Sequence, residues 1–158
     1  MAEGDAASRW AQLLNSAVSG VRSDDSAAPP RPPVVERLGL PGLTSWEPGV
    51  VRGDWVVDPQ MFHAGGALFG GFLAALADLA TTFATFSVLR DDEWFNTADL
   101  RTSFFRPVSG GTLHFESRVI HRGKRTASVE VEFTDTEGRM VAKGSATQVI
   151  QPLPEALG

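Results

Sequence analysis

The stretch of residues 64–89 constrains this chain most, because Asp78 is its one charged residue among apolar, small and hydroxyl side chains. A membrane-spanning helix needs about 20 predominantly apolar residues, and a charge near its middle costs about 2.5–3.5 kcal/mol. A helix that is apolar all round in a globular protein is typically buried. The stretch therefore predicts one long central helix in a protein core, ending near Leu89, and no membrane span.

The segments after this helix predict an antiparallel sheet. In the clearest of them Val129, Val131 and Phe133 alternate with polar residues, as in a strand with one buried face. Short glycine-containing turns between the segments favour sequential hairpins. A weaker strand pair, broken at 47–49, precedes the helix. The predicted strands are 96–106, 112–122, 126–134 and 140–150, after the pair at 44–57. The fold class is α+β, with a curved antiparallel sheet wrapped round the helix.

A second organisational feature is the N-terminal region. Residues 6–19 place Trp10 and Leu14 on one face of a short amphipathic helix, which we expect to dock on the body or on a partner. Residues 22–33 contain four prolines and predict an extended linker. We divide the chain into the helix and linker at 1–33, a single domain at 34–151 and a tail at 152–158.

Composition excludes several classes of function. The chain has no cysteine and a net charge of −5, which removes disulfides, thiolate ligands and a cysteine nucleophile, and disfavours nucleic acid as a partner. Its N-terminus lacks the pattern of an export signal, so a cytoplasmic location is expected. The histidines show no metal-ligand spacing, and we expect neither metal nor cofactor. His114 and His121 are seven residues apart on one strand, an odd offset that predicts opposite faces.

Asp78 is the strongest candidate for chemistry. A carboxylate inside an apolar helix is costly unless it is paired or solvated by a cavity, so it serves either a structural ion pair or a function. Thr81 and Thr82 follow one helical turn later. Their hydroxyls either orient the carboxylate or a water, or bond back to their own helix backbone.

Gly70 and Gly71 mark the start of the helix. Unpaired N–H groups at a helix N-terminus suit an oxyanion hole, although glycines there also permit tight packing or a bend. Gly70 and Asp78 are eight residues apart, about 12 Å along the axis and on different faces of a helix. Two antiparallel copies can bring Gly70 of one chain to Asp78 of the other. The spacing therefore favours a homodimer with shared sites.

Two motifs resemble those of a known family, the hotdog-fold thioesterases, especially the phenylacetate-pathway type. The first is the run from His63 through Gly70-Gly71 to Asp78, and the second is Thr97 followed by Phe104-Phe105-Arg106-Pro107 and then Gly123-Lys124. The resemblance covers about residues 34–151. It implies a hotdog fold and hydrolysis of an acyl-CoA or acyl-carrier thioester by a dimer or a dimer of dimers.

The resemblance also implies roles for individual residues. Asp78 corresponds to the nucleophile or general base, and the Gly70 N–H to the oxyanion donor of the partner subunit. His63 takes the place of the group that positions water or thioester, and Thr97 lies where relatives place a hydroxyl near that water. We add Thr82 as a candidate catalytic hydroxyl. The expected substrate-binding residues are Phe69, Gly71, Arg106, Lys124 and Arg125.

This sequence departs from the family pattern at two positions. Phe69 replaces the histidine that precedes Gly-Gly, and His63 replaces an amide or acid. Phe69 keeps a second function open, that of a non-catalytic hotdog protein that binds acyl-CoA or lipid. A hotdog dehydratase ranks last. Several phenylalanines suggest an apolar or aromatic acyl pocket: Phe62, Phe69, Phe72, Phe83 and Phe86.

Overall fold

The computed structural model describes residues 8–19 and 32–157. Most of the predicted linker therefore lies outside the described residues. The helices are α1 (Arg9–Ser19), α2 (Pro33–Arg37) and α3 (Gly70–Phe86), with short 3-10 helices at Pro59–Met61 and Glu155–Leu157. The strands are β1 (Ser45–Glu47), β2 (Val50–Val56), β3 (Glu93–Phe104), β4 (Thr112–Arg122), β5 (Thr126–Thr134) and β6 (Met140–Pro152).

The six strands form one antiparallel sheet in the order β1-β2-β4-β5-β6-β3. Helix α3 lies across its inner face and contacts every strand from β2 to β6. This arrangement confirms the predicted α+β hotdog fold. In the part of the chain that the structure describes, no helix is long and apolar enough to cross a membrane.

Strand positions agree closely with the hydrophobic alternation. The ends of β4 and β5 coincide with the predicted ones, and Gly49 makes the predicted break between β1 and β2 with φ of 85°. Helix α3 ends at Phe86, three residues earlier than predicted. Ser87 explains the difference, because its hydroxyl donates to the Ala84 carbonyl and accepts the Gly49 N–H. These bonds stop the helix and tie its end to the β1–β2 turn.

Small residues set the depth at which α3 sits on the sheet. A Cβ on Gly144 would lie 2.9 Å from Val131 Cγ1 and 3.2 Å from Ala77 Cβ. Both contacts are tighter than ordinary packing, so any larger residue would push the helix away from β6. Ala142 and Ala146 flank Gly144 on the same buried face.

A β-bulge in β4 corrects the prediction for the two strand histidines. Val119 pairs with Val129, but the next pair is His121 with Ser128, so Ile120 is the extra residue. Because one inserted residue reverses the side-chain parity, His121 and His114 share the outer face. There the Nδ1 atom of His114 lies 2.6 Å from Asp54 Oδ1.

Helix α1 docks on the body rather than extending away from it. Trp10 stacks on Phe86 with ring centroids 4.7 Å apart, and its Nε1–H donates to the Arg90 carbonyl at 2.9 Å. Leu14 is completely buried. The helix thus covers the C-terminal end of α3.

We expect replacement of Trp10 by alanine to lower the free energy of unfolding by about 3 kcal/mol, because it removes a buried aromatic ring and its hydrogen bond. Denaturant unfolding of the full chain measures this loss. Val34→Ala is the control, since Val34 is largely exposed and should change stability by less than about 0.5 kcal/mol. Equal stability of Trp10→Ala and wild type would contradict docking of α1.

Candidate functional site

Asp78 lies on the face of α3 that points away from the sheet. Leu73, Leu76, Ala77 and Ala80 are buried against the strands, whereas Asp78 is half-buried. Within the single chain the face around Asp78 keeps partial exposure, whereas α1 packs against the C-terminal end of α3. We call this partly exposed face the open face of α3. The carboxylate therefore stands at the boundary between the core and a partly exposed surface.

Thr97 is the polar partner of Asp78. Its hydroxyl donates to Asp78 Oδ1 at 3.0 Å, across 19 residues of sequence. A bulge in β3 aims it there: Thr97 pairs with Gln148 but the next pair is Asp99 with Thr147, so Ala98 is the extra residue. Since a bulge reverses parity, Thr97 and Leu100 both face the helix although they are an odd number of positions apart, three. The structure thus brings together two of the predicted site residues.

The two helix threonines take different places. The Thr81 hydroxyl is buried and donates back to the carbonyls of Ala77 and Asp78, at 3.0 and 3.1 Å, which is the structural alternative considered for it. Thr82 is half-buried and lies one turn beyond Asp78 on the same open face. A catalytic contribution from Thr82 stays a prediction.

The N-terminus of α3 presents unused hydrogen-bond donors. Phe69 is the N-cap residue and its side chain makes no capping bond. In the described part of the chain, the N–H groups of Gly70 and Gly71 donate to no acceptor. Such groups at the positive end of a 17-residue helix are suited to hold a developing negative charge.

Two exposed phenyl rings flank these donors. A Cβ on Gly70 would lie 3.2 Å from Phe104 Cζ, and a Cβ on Gly71 would lie 2.8 Å from Phe69 Cε1. Phe69 and Phe104 are 57% and 52% exposed. The glycines are therefore needed for the close approach of the rings. Phe104 is an apolar neighbour of the site to which the sequence pattern gave no role.

His63 is exposed in the loop that leads to α3. Its Nδ1 accepts the Gly65 N–H at 2.9 Å, and its backbone N–H and carbonyl bond to Ala67 and Gly66. A ring nitrogen that accepts a hydrogen bond carries no proton, so the proton of the neutral ring lies on Nε2. His63 thus holds its own turn and leaves Nε2–H as a donor. The structure records no contact between it and Asp78 within one chain.

The predicted substrate-binding cations lie at opposite ends of the sheet. Arg106 follows the end of β3 and lines a cleft of about 440 Å³ with Asp135 and Arg139. Lys124 and Arg125 form the β4–β5 turn, beside the start of β3. A strand as long as β3 extends about 36 Å. One chain therefore does not gather these three cations around one ligand.

Arg122, near the Lys124 end, is already engaged. It donates to both carboxylate oxygens of Glu93, at 2.7 and 2.6 Å. Burial alone raises the pKa of Glu93, but the hydrogen bonds from Arg122 and the Arg90 N–H outweigh it and hold that pKa below its usual value. Lys124 and Arg125 are the exposed cations of this turn.

Gln148 was not singled out from the sequence. It is fully buried on the inner face of β6, directly beside Thr97, and neither polar atom of its side chain has a hydrogen-bond partner. The signal for it was present, because Ala142, Gly144 and Ala146 alternate into the core and Gln148 continues that series. An amide at an inward position of such a strand is unusual.

Comparisons with known proteins identify the family of this chain. The profile of the Thioesterase superfamily matches residues 65–142, which include Gly70, Asp78 and Thr97. The proofreading thioesterase EntH of Klebsiella pneumoniae is 28% identical over 130 residues, which cover 82% of this chain and 89% of that protein. "Putative esterase SSO1253" of Saccharolobus solfataricus is 30% identical over 106 residues, covering 66% of this chain and 69% of that protein.

A solved structure shares the fold over nearly its whole length. The phenylacetic acid degradation-related protein of Ralstonia eutropha superposes with a TM-score of 0.73 at 25% identity, covering 87% of this chain and 98% of that one. Family profile, relatives and fold all converge on the region that holds Asp78 and the α3 N-terminus. The chain belongs to the thioesterase superfamily and is a thioester hydrolase with a hotdog fold.

Proposed function

We propose that this thioester hydrolase cleaves acyl-CoA-type thioesters with Asp78 as nucleophile or general base. The observation that carries the proposal is the 3.0 Å hydrogen bond from Thr97 to Asp78. It fixes one carboxylate oxygen and leaves the other free to act on the open face of α3. A carboxylate held in this way can attack the carbonyl carbon or remove a proton from an attacking water.

The reaction proceeds through a tetrahedral oxyanion. As general base, Asp78 takes a proton from water while the water oxygen bonds to the carbonyl carbon, and the Gly70 N–H stabilises the resulting oxyanion. The C–S bond then breaks and the thiolate leaves, to be protonated to the free thiol. In the nucleophilic version an acyl-Asp78 anhydride forms first and water cleaves it.

We propose further that the site is shared between two subunits. Gly70 and Asp78 are eight positions apart on α3, about 12 Å along the axis, so one chain cannot bring both to one carbonyl. Strand β3 is an edge strand of twelve residues that pairs on one side with β6. Its open edge and the open face of α3 offer the surface on which a second, antiparallel copy completes the site. A dimer of dimers remains a prediction.

The acyl group is proposed to be apolar. Phe69 and Phe104 expose their rings beside the α3 N-terminus, where the carbonyl would bind. Phe86 does not belong to this set, because it is buried against Trp10 at the other end of α3.

The phosphates of CoA are proposed to bind to Lys124 and Arg125 of one subunit and to Arg106 of another. The cytoplasmic location stays a prediction from the sequence.

A second function is favoured by one observation, the identity of the N-cap residue. Phe69 supplies no polar group and its ring covers Gly71. A non-catalytic protein that binds acyl-CoA could retain such a site. Calorimetric binding of an acyl-CoA without release of free thiol would favour this alternative.

We expect Asp78→Asn to lower kcat about 10³-fold, because the amide neither attacks the thioester nor accepts a proton. Release of free thiol from a panel of acyl-CoAs measures the rate. Asp92→Asn is the control, since this exposed carboxylate pairs with Arg90 beyond the C-terminal end of α3. An unchanged rate in Asp78→Asn rules out the proposed chemistry.

Gly70→Pro tests the oxyanion donor. Proline removes the N–H but is favoured at the first position of a helix, and Phe69 with φ of −64° and ψ of 125° tolerates a following proline. We expect kcat to fall about 10²–10³-fold. Gly70→Ala is the matched control, because it places a Cβ against Phe104 but keeps the N–H. Equal losses in both variants would assign the effect to crowding.

Mixing of the two inactive proteins tests whether the site is shared. If subunits exchange at random, about half of the dimers pair Asp78→Asn with Gly70→Pro, and each mixed dimer regains one intact site. We therefore expect about one quarter of the wild-type rate after mixing, with each variant alone inactive. A mixture that stays inactive while exchange is demonstrated by mass spectrometry contradicts a shared site.

A further inference from the structure

Gln148 is a buried polar side chain that the proposed reaction does not use. The residue is 0% exposed, and both Nε2 and Oε1 lack a hydrogen-bond partner. An unsatisfied amide in a core destabilises the fold, whereas an apolar side chain of the same shape would not. Packing alone therefore does not account for a glutamine at this position.

The sheet register places Gln148 beside one polar side chain. Its neighbours across β5 and β3 are Ala127 and Thr97, and only Thr97 has a hydroxyl. The buried hydroxyls of Thr81 and Thr85 on the helix above donate to carbonyls of their own helix. Among the residues paired with Gln148 in the sheet, Thr97 is the one toward whose side chain the amide can act.

The donors and acceptors of the two residues match. Thr97 gives its single hydroxyl proton to Asp78 Oδ1, so its oxygen offers lone pairs to a further donor. The Gln148 amide carries two N–H groups, and its terminal torsion is soft. A donor to the Thr97 oxygen keeps the Thr97 hydroxyl pointing its proton at the Asp78 carboxylate. It also strengthens the hydrogen bond from Thr97 to Asp78 by polarisation.

We propose that Gln148 is a positioning residue, which donates from Nε2 to Thr97 Oγ1, by rotation of its amide or through one bridging water, and so holds the Thr97 hydroxyl on Asp78. The proposal rests on the proposed function of Asp78. We call the chain of hydrogen bonds from Gln148 through Thr97 to Asp78 the relay. Through it, Gln148 orients the carboxylate without contacting the substrate. It extends the site from the open face of α3 into the core of the sheet.

Gln148→Met tests the relay, because methionine keeps the unbranched shape and removes the amide. We expect kcat to fall about three- to tenfold with KM unchanged. The melting temperature should stay equal or rise, since two unsatisfied polar atoms are removed. Thr102→Val is the matched control: its hydroxyl is also buried and without a partner, but it lies opposite Gly144, and kcat should not change.

The pair of variants Gln148→Met and Thr97→Val separates positioning from packing. If Gln148 acts through Thr97, the double variant has the same kcat as Thr97→Val alone. Three results would overturn the proposal. The first is a double variant whose fold loss in kcat equals the product of the two single losses, and the second is an unchanged kcat in Gln148→Met. The third is a rise in KM together with a lower melting temperature in Gln148→Met.

A structural readout keeps this test independent of activity. The side-chain amide resonances of Gln148 are identified in a ¹⁵N spectrum by their loss in Gln148→Met. We expect them to shift in Thr97→Val, which removes the hydroxyl, and much less in Thr97→Ser, which keeps it. Equal shifts in the two variants would refute the relay. Absence of turnover with every acyl-CoA, accompanied by the expected shifts, would refute only the proposed reaction.

Discussion

The close packing of α3 on β6 is the contact on which the rest of this structure depends. Gly144 lets Ala77 approach so near that a single Cβ at Gly144 would have to displace the helix. Interiors are packed too densely to absorb such a change locally. The depth of α3 in turn fixes the height of Asp78 above the edge of the sheet. The contact between Gly144 and Ala77, which takes no part in the proposed reaction, thus determines the position of the Asp78 carboxylate.

The edge strand β3 supplies the hydrogen-bond partner of Asp78 at this depth of the helix, which is Thr97. Strand geometry alone would alternate Thr97 and Leu100 between the two faces, and only the extra residue Ala98 lets both face the helix. Bulges of this kind are common beside active sites because they re-aim a side chain while the strand pairing continues on both sides. Here the re-aimed group is the hydroxyl that holds the carboxylate, and Gln148 lies directly beside it.

Much of the fold followed from local chemistry that any reader of the sequence can see. Alternation of apolar and polar residues gave the ends of β4 and β5, since one face of each strand must be buried. The end of α3 was misjudged because Ser87 and Gly49 form hydrogen bonds that join distant segments. The prediction for the face of His121 was wrong because of the bulge at Ile120. A one-residue bulge does not change the hydrophobic pattern of the sequence.

For the site, the sequence by itself determined that a lone carboxylate in an apolar helix needs a polar partner or a solvated cavity, and that Gly70 and Asp78 lie about 12 Å apart along one helix axis. Both conclusions follow from the cost of burying charge and from the pitch of a helix, which are local properties. Only the tertiary structure decided that the partner is Thr97 and that Gln148 is buried next to it. Strand register and bulges bring these residues together, and register is set by contacts among segments far apart in the chain.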